Sequence, residues 1–245
     1  MKHATIILVG LLLLTQTVSA KKEVVSFDLK FGFLKGGEAQ FIISDTTFNN
    51  QPAVLYNVAG RTTGLMDKLF EVNDVYETFV DAKTRLPLKS IRQVKEQNYR
   101  WYNETLYFPD IDSIYSRRSG WRSVPDTLVD IISVFFYFIN NHLMDDIENG
   151  KIVVLPTFHA DKISDVTIKY SGDRLVETDL GKINCHVLSP EIDKGKLLKR
   201  SDGLRFFISK KTKVPILLEF DMRVGTLRAV LRSYTIDGVE QSTRE

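Results

Sequence analysis

The sequence predicts a mainly β protein, built as a curved antiparallel sheet or open β-barrel with one long buried helix. Apolar and polar residues alternate along many short segments, as at residues 25–33, which favours strands with one buried face. Turn residues such as Gly36 and Gly37 separate these segments and are typical of hairpins. Residues 128–139 break this period of two and are apolar nearly all round, which predicts a buried helix.

The helix is expected to run from Asp126 to His142 and to pack on the concave side of the sheet. Pro125 and Asp126 suit a helix start, because proline is tolerated in the first turn and an acid there favours the positive end of the dipole. Asp130 and Ser133 lie one helical turn apart and are expected to satisfy each other by hydrogen bonding.

The first twenty residues have the pattern of a cleavable signal peptide. Lys2 precedes an apolar run at residues 6–14, and small residues precede a cleavage site after Ala20. The run is too short to span a bilayer, although a retained anchor is the alternative. We therefore expect an exported protein of the periplasm or cell envelope. Its mature part, residues 21–245, would be a single β-rich domain with no transmembrane segment.

The charge balance and the cysteine content limit the kinds of partner and covalent link that we expect. The chain has 33 Lys and Arg against 31 Asp and Glu, a balance that gives no reason to expect a nucleic-acid partner. Its single cysteine, Cys185, cannot form an internal disulfide. Because Cys185 lies in an alternating segment, it is interpreted as a small buried core residue rather than a nucleophile.

Four stretches carry a resemblance to a known family. They are Leu34-Lys35-Gly36-Gly37-Glu38-Ala39; residues 63–70 with 75–81 and Thr84-Arg85-Leu86-Pro87; Asp130-Ile131-Ile132-Ser133 leading into Phe136-Tyr137-Phe138; and Gly181-Lys182-Ile183-Asn184-Cys185. In these residues the chain resembles the bacterial exported proteins of domain of unknown function 3108. The resemblance implies an envelope protein without an established activity, and it supplies no catalytic residues.

Catalytic and metal chemistry have weak support in the sequence. His142, His159 and His186 lack the close spacing of metal ligands, so no metal and no cofactor are expected. The Gly-x-Ser-x-Gly pattern of a nucleophile elbow is absent from the sequence. Folding could still bring His159 and Asp161 near His186, which keeps an uncharacterised hydrolase as the alternative to a protein that is not an enzyme.

A ligand-binding groove between sheet and helix is the leading functional hypothesis. Aromatic residues and arginines interleave over residues 99–121, and such faces can stack on sugars or hold lipid chains. Phe135 and Phe138 of the helix are expected to line the groove, with Trp101 and Trp121 at its rim. The partner would be a lipid or an envelope glycan. Ordinary cross-strand aromatic pairing, and a scaffold protein with no small ligand, remain the alternatives.

Overall fold

One large, mostly antiparallel sheet dominates the computed structural model, which describes residues 20–141, 143–148, 151–192, 198–223 and 225–243. The mainly β prediction is confirmed. The predicted signal peptide lies almost wholly outside the described residues. The strands are β1 (Lys22–Phe31), β2 (Leu34–Phe48), β3 (Gln51–Thr62), β4 (Asn73–Asp81), β5 (Pro87–Glu96), β6 (Tyr99–Phe108), β7 (Ser113–Ser116), β8 (Gly120–Ser123), β9 (Val129–Asp130), β10 (Val153–His159), β11 (Lys162–Thr178), β12 (Gly181–Glu191), β13 (Leu204–Ser209), β14 (Pro215–Met222), β15 (Gly225–Ile236) and β16 (Val239–Glu240).

The sheet has two halves that meet at its middle. Strands β1 to β8 pair in chain order, and so do strands β9 to β15. The halves join where β1 pairs antiparallel with β15, for example Val25 opposite Tyr234. Strands β8 and β9 lie at the two ends of the sheet order, so the sheet is open rather than closed. The pair β9–β10 is parallel, with Val129 opposite Thr157.

The prediction of one long helix from Asp126 to His142 is wrong. The segment instead forms the short strand β9 and then helix α2 (Ser133–Asn140), while α1 (Gly64–Leu69) and α3 (Leu143–Glu148) are shorter still and a 3-10 turn covers Pro109–Ile111. His142 lies outside the described residues.

Buried Asp130 explains why α2 begins late. Its Oδ1 accepts hydrogen bonds from the backbone N–H groups of Ile132 at 2.7 Å and Ser133 at 2.9 Å. Ser133 Oγ in turn accepts the Asp130 N–H at 2.9 Å. This reciprocal pairing is a capping arrangement, so the expected Asp130–Ser133 contact is present and fixes the helix start. Residues before it are free to pair with β10, which places them in a strand.

Helix α2 packs between the two halves of the sheet. On one side Phe136 is buried against Val54 and Val80 of β3 and β4. On the other side Phe138 is fully buried in a cluster with Leu155 of β10 and Leu188 of β12. Because Phe136 and Phe138 face opposite halves of the sheet, α2 closes the space between the halves over part of its length.

Two further expectations concern burial and membranes. Cys185 is fully buried in the apolar cluster around β1, β12 and β14, which confirms it as a core residue. Within the described part of the chain, no helix has the length and apolar character needed to cross a membrane.

Candidate functional site

A groove of about 370 Å³ opens between α2 and the sheet. This volume is near the lower end of the roughly 300–1,000 Å³ typical of small-molecule pockets. Its floor is apolar, because rings and aliphatic side chains from both halves of the sheet converge with the helix. The apolar lining comprises Val25, Phe41, Ile43, Phe135, Phe136, Ile139, Val214 and Pro215.

The groove also has a polar rim with an uneven balance of charge. Lys21, Arg85 and Lys213 contribute three cations, and Glu23 and Asp45 contribute two carboxylates. The ammonium of Lys21 pairs with Glu23 at 2.7 Å, and Glu23 also accepts a hydrogen bond from the Tyr234 hydroxyl at 2.8 Å. By contrast, neither Arg85 nor Lys213 forms an ion pair with any residue that the structure describes.

Tyr56 places a buried hydroxyl at the groove. The residue is only 1% exposed, and its oxygen has no hydrogen-bond partner among the described residues. Burial raises the pKa of the Tyr56 hydroxyl to about 12, and the nearby Arg85 guanidinium opposes that rise. Arg85 lies close enough to act on this hydroxyl by charge and by hydrogen bonding, although not in the geometry of a full hydrogen bond. The hydroxyl and the guanidinium together can donate to an anionic oxygen.

A second, much smaller cavity of about 30 Å³ lies where β4, β5 and β6 face β9 and β10. Its size suits about two water molecules. Three polar atoms that line it are buried and have no hydrogen-bond partner among the described residues: Asp130 Oδ2, His159 Nδ1 and Trp101 Nε1. Burial raises the pKa of the Asp130 carboxyl, although hydrogen bonds from the Ser133 and Ile132 backbone oppose the rise.

His159 in the same cavity is held neutral. Burial is the main cause that lowers the pKa of its imidazole to about 4, and the positive charge of Arg92 lowers it further. Asp161, two residues further along the chain, also lines the cavity, but the expected approach of His159 and Asp161 to His186 does not occur. His186 does not join them, because its Nδ1 lies 2.9 Å from Asp173 on the neighbouring strand. No group of three potential metal-binding side chains occurs within the described ranges.

The aromatic and arginine segment forms stacks rather than a groove rim. The Arg118 guanidinium lies 3.9 Å from the centre of the Trp101 ring, and that of Arg92 lies 5.7 Å from it. Trp121 is 61% exposed, and its ring is tilted against those of Tyr115 and Phe108 at the end of the sheet. Trp101 therefore lines the small polar cavity, and Trp121 lies on an outer surface. Neither tryptophan lines the groove.

Of the two helix residues expected to line the groove, one lines it and the other does not. Phe135 is partly buried and lines the groove. Phe138 is fully buried in the core cluster beneath α2 and does not line it. The sequence interpretation missed Tyr56, Arg85 and Lys213. A signal for the two cations was present, because Lys83-Thr84-Arg85-Leu86-Pro87 and Lys211-Thr212-Lys213-Val214-Pro215 share one pattern.

The fold and these cavities define an open β-sheet protein with a helix-covered groove. The family model described as "Protein of unknown function (DUF3108)" matches residues 26–232, and the chain belongs to that family. None of the curated proteins matches the chain.

A solved structure from Brucella abortus, a β-barrel-like protein of domain of unknown function DUF1849, has a similar fold. Its TM-score is 0.57 at 10% sequence identity, and the match covers 89% of this chain and 98% of that one. At this identity the likeness concerns the fold alone.

Proposed function

We propose that this is an exported, non-enzymatic protein of the cell envelope that binds an amphipathic molecule in the groove between α2 and the sheet. The observation that carries the proposal is the groove itself, which combines an apolar floor with a charged rim. A hydrocarbon chain would contact Phe41, Ile43 and Phe135, while a polar head would remain at the rim. Burial of apolar ligand surface supplies the affinity, and the few polar groups set the orientation.

Export is part of the same proposal. The pattern of residues 1–20 supports it, because a charged start, a short apolar run and a small-residue site are the marks of a secretory signal. Lys21, the first residue of the expected mature chain, lies at the rim of the groove. The binding experiments therefore use the chain that begins at Lys21.

Filling the groove with a larger side chain tests the proposal. Ile139→Trp on the helix and Ile43→Trp on the sheet each add an indole inside the groove. Ile111→Trp is the matched control, since Ile111 is 63% exposed on the 3-10 turn away from the groove. Calorimetric titration with decanol and with decanoate should show binding to the native protein and to the control.

The two groove variants should bind at least roughly tenfold more weakly, which corresponds to about 1.4 kcal/mol. Their thermal unfolding midpoints, measured beside that of the control, show that they are folded. Equal affinity in native and folded groove variants would overturn the proposal. Absence of binding to the native protein would also overturn it and leave a scaffold role.

The small cavity favours a second candidate, a hydrolase. His159 and Asp130 offer a base and an acid beside the Trp101 N–H, and buried unpaired groups of this kind occur at catalytic sites. The cavity of about 30 Å³ has room for water but not for a substrate. Hydrolysis of a p-nitrophenyl ester by the native protein that His159→Asn abolishes would favour this candidate over a binding protein.

A further inference from the structure

Two hairpin turns of the protein repeat one sequence pattern and one geometry. The turn between β4 and β5 contains Lys83-Thr84-Arg85-Leu86-Pro87, and the turn between β13 and β14 contains Lys211-Thr212-Lys213-Val214-Pro215. In both turns five residues follow the end of a strand, the last four of them correspond in type, and a proline begins the next strand. The two turns lie in opposite halves of the sheet and both reach the groove.

The backbone hydrogen bonds of the two turns correspond one to one. The Arg85 N–H donates to the Asp81 carbonyl oxygen at 3.0 Å, and the Lys213 N–H donates to that of Ser209 at 2.9 Å. The Asp81 N–H donates to Leu86 O, and the Ser209 N–H donates to Val214 O, both at 2.9 Å.

The side chain that opens each turn plays the same part. Asp81 Oδ1 accepts the Thr84 N–H at 2.7 Å, and Ser209 Oγ accepts the Thr212 N–H at 3.1 Å. These bonds hold each turn closed without the side chains of Arg85 and Lys213. Neither cationic side chain is therefore needed to form its turn.

Both cations occupy the left-handed region of backbone space. Arg85 has φ of 62° and Lys213 has φ of 59°, a conformation that costs free energy for a residue with a side chain. Glycine or asparagine would adopt it more readily. A long cation stands at this position in both turns, and each lines the same groove. Other turn residues of the described chain, such as Gln97 and Asp237, adopt the same region, so what distinguishes Arg85 and Lys213 is that both are cations at equivalent turn positions beside one groove.

We infer that Arg85 and Lys213 form a two-sided clamp for an oxyanion head group, a carboxylate or a phosphate, on the amphipathic molecule in the groove. The inference rests on the proposed function and specifies its ligand. The Tyr56 hydroxyl supplies a third, neutral donor from the groove wall, since it is buried and has no hydrogen bond of full geometry to any described residue. Two cations and a hydroxyl satisfy an oxyanion through charge-assisted hydrogen bonds.

The other charged residues at the groove rim do not compete with Arg85 and Lys213 for binding an oxyanion. Glu23 is engaged by Lys21 and by the Tyr234 hydroxyl. The charge of Asp45 acts on Lys21 as well, since together with the larger effect of Glu23 it raises the pKa of that ammonium. The clamp cations are the ones at the rim without an ion-pair partner in the described chain.

The two similar turns provide a matched control for removing the clamp charges. The double variant Arg85→Gln/Lys213→Gln removes both clamp charges. The double variant Lys83→Gln/Lys211→Gln removes the same number of charges from the same two turns, at exposed positions that do not line the groove. Tyr56→Phe removes the third donor alone. Calorimetry on the chain from Lys21 then compares decanoate, decyl phosphate and decanol, which share one hydrocarbon chain.

The native protein and the Lys83/Lys211 control should bind one or both anions at least roughly tenfold more tightly than decanol. The Arg85/Lys213 variant should lose that preference while its affinity for decanol stays within about twofold. Tyr56→Phe should weaken anion binding alone. The tighter of the two anions identifies the head group as carboxylate or phosphate.

Equal binding of decanol and both anions, or a preference that survives in the Arg85/Lys213 variant, would overturn the clamp while leaving an amphiphile-binding groove. Loss of the preference in the Lys83/Lys211 control as well would overturn the assignment to these two residues. Absence of all binding to the native protein would overturn the clamp and the proposed function together.

Discussion

The ring of Phe136 on α2 lies flat against the ring of Tyr56 on β3, with centroids 3.9 Å apart and planes within 11° of parallel. This contact joins the helix to the first half of the sheet at the floor of the groove. It also fixes the direction of the Tyr56 hydroxyl, since a ring stacked on one face can turn little. The position of the helix and the polarity of the groove therefore depend on one aromatic pair.

Phe138→Ala should lower the free energy of unfolding more than Phe135→Ala does. Phe138 is fully buried, so its truncation leaves a cavity and should lower the free energy of unfolding by about 3–5 kcal/mol. Phe135 is partly buried at the groove and should cost about 2 kcal/mol. Urea unfolding measures both. An equal or larger loss for Phe135→Ala would mean that this residue is core and that the groove is closed in solution.

Tyr56→Phe should leave the ligand-free protein as stable as the native chain, or stabilise it by up to about 1 kcal/mol. The change removes a buried hydroxyl that has no hydrogen bond of full geometry within the part of the chain that the structure describes, and it keeps the ring on Phe136. Tyr107→Phe is the control, because the Tyr107 hydroxyl lies 3.0 Å from Ser90 Oγ and its loss should cost about 1 kcal/mol. Similar destabilisation by both substitutions would show that Tyr56 has a partner in solution.

Stability should depend on His159 in mildly acidic solution. Its pKa is lowered to about 4 in the folded protein, against about 6.5 for an exposed histidine. Between these values the unfolded chain binds a proton that the folded chain does not, so the free energy of unfolding falls as pH drops from about 6.5 to about 4. The stability of the His159→Asn variant, measured by thermal unfolding, should fall less steeply over this pH range. Parallel curves for the two proteins would contradict the buried, neutral assignment.

Export is expected to remove the first twenty residues. Cell fractionation with N-terminal sequencing should find the chain outside the cytoplasm, beginning at or next to Lys21. Ala20→Asp places a charge in the small-residue cleavage site and should leave a longer, unprocessed chain. A full-length native protein in the cytoplasm would contradict export.

Strand patterns could be predicted because they depend on local sequence. Alternation at residues 25–33 predicts a strand whatever its partner strand is, and β1 covers Lys22–Phe31. Its burial does not alternate as expected, because Val25, Ser26 and Phe27 are all buried and Phe33 is 92% exposed in the turn that follows the strand. The turn from Asp81 to Pro87 could be predicted for the same reason, because Pro87 fixes its own φ before the next strand. Prediction succeeded where a short segment determines its own conformation.

The helix start could not be predicted, because distant residues decide it. The apolar run at residues 128–139 is compatible with helix and with buried strand. Pairing of Val129 with Thr157 makes its beginning a strand, and the Asp130 cap then starts α2. The position of Trp101 has the same explanation. Alternation places its side chain on one face of β6, but only the curvature of the whole sheet determines that this face meets β9 and β10.

Native mass spectrometry of the protein purified from its own cell envelope tests the central claim most directly. The groove should retain a co-purified amphiphile, seen as an added mass that organic extraction releases. The same added mass should be present in Ile111→Trp and reduced in Ile139→Trp. A native protein that shows only the mass of its own chain, and that takes up neither decanoate nor decanol when these are supplied, would contradict the account.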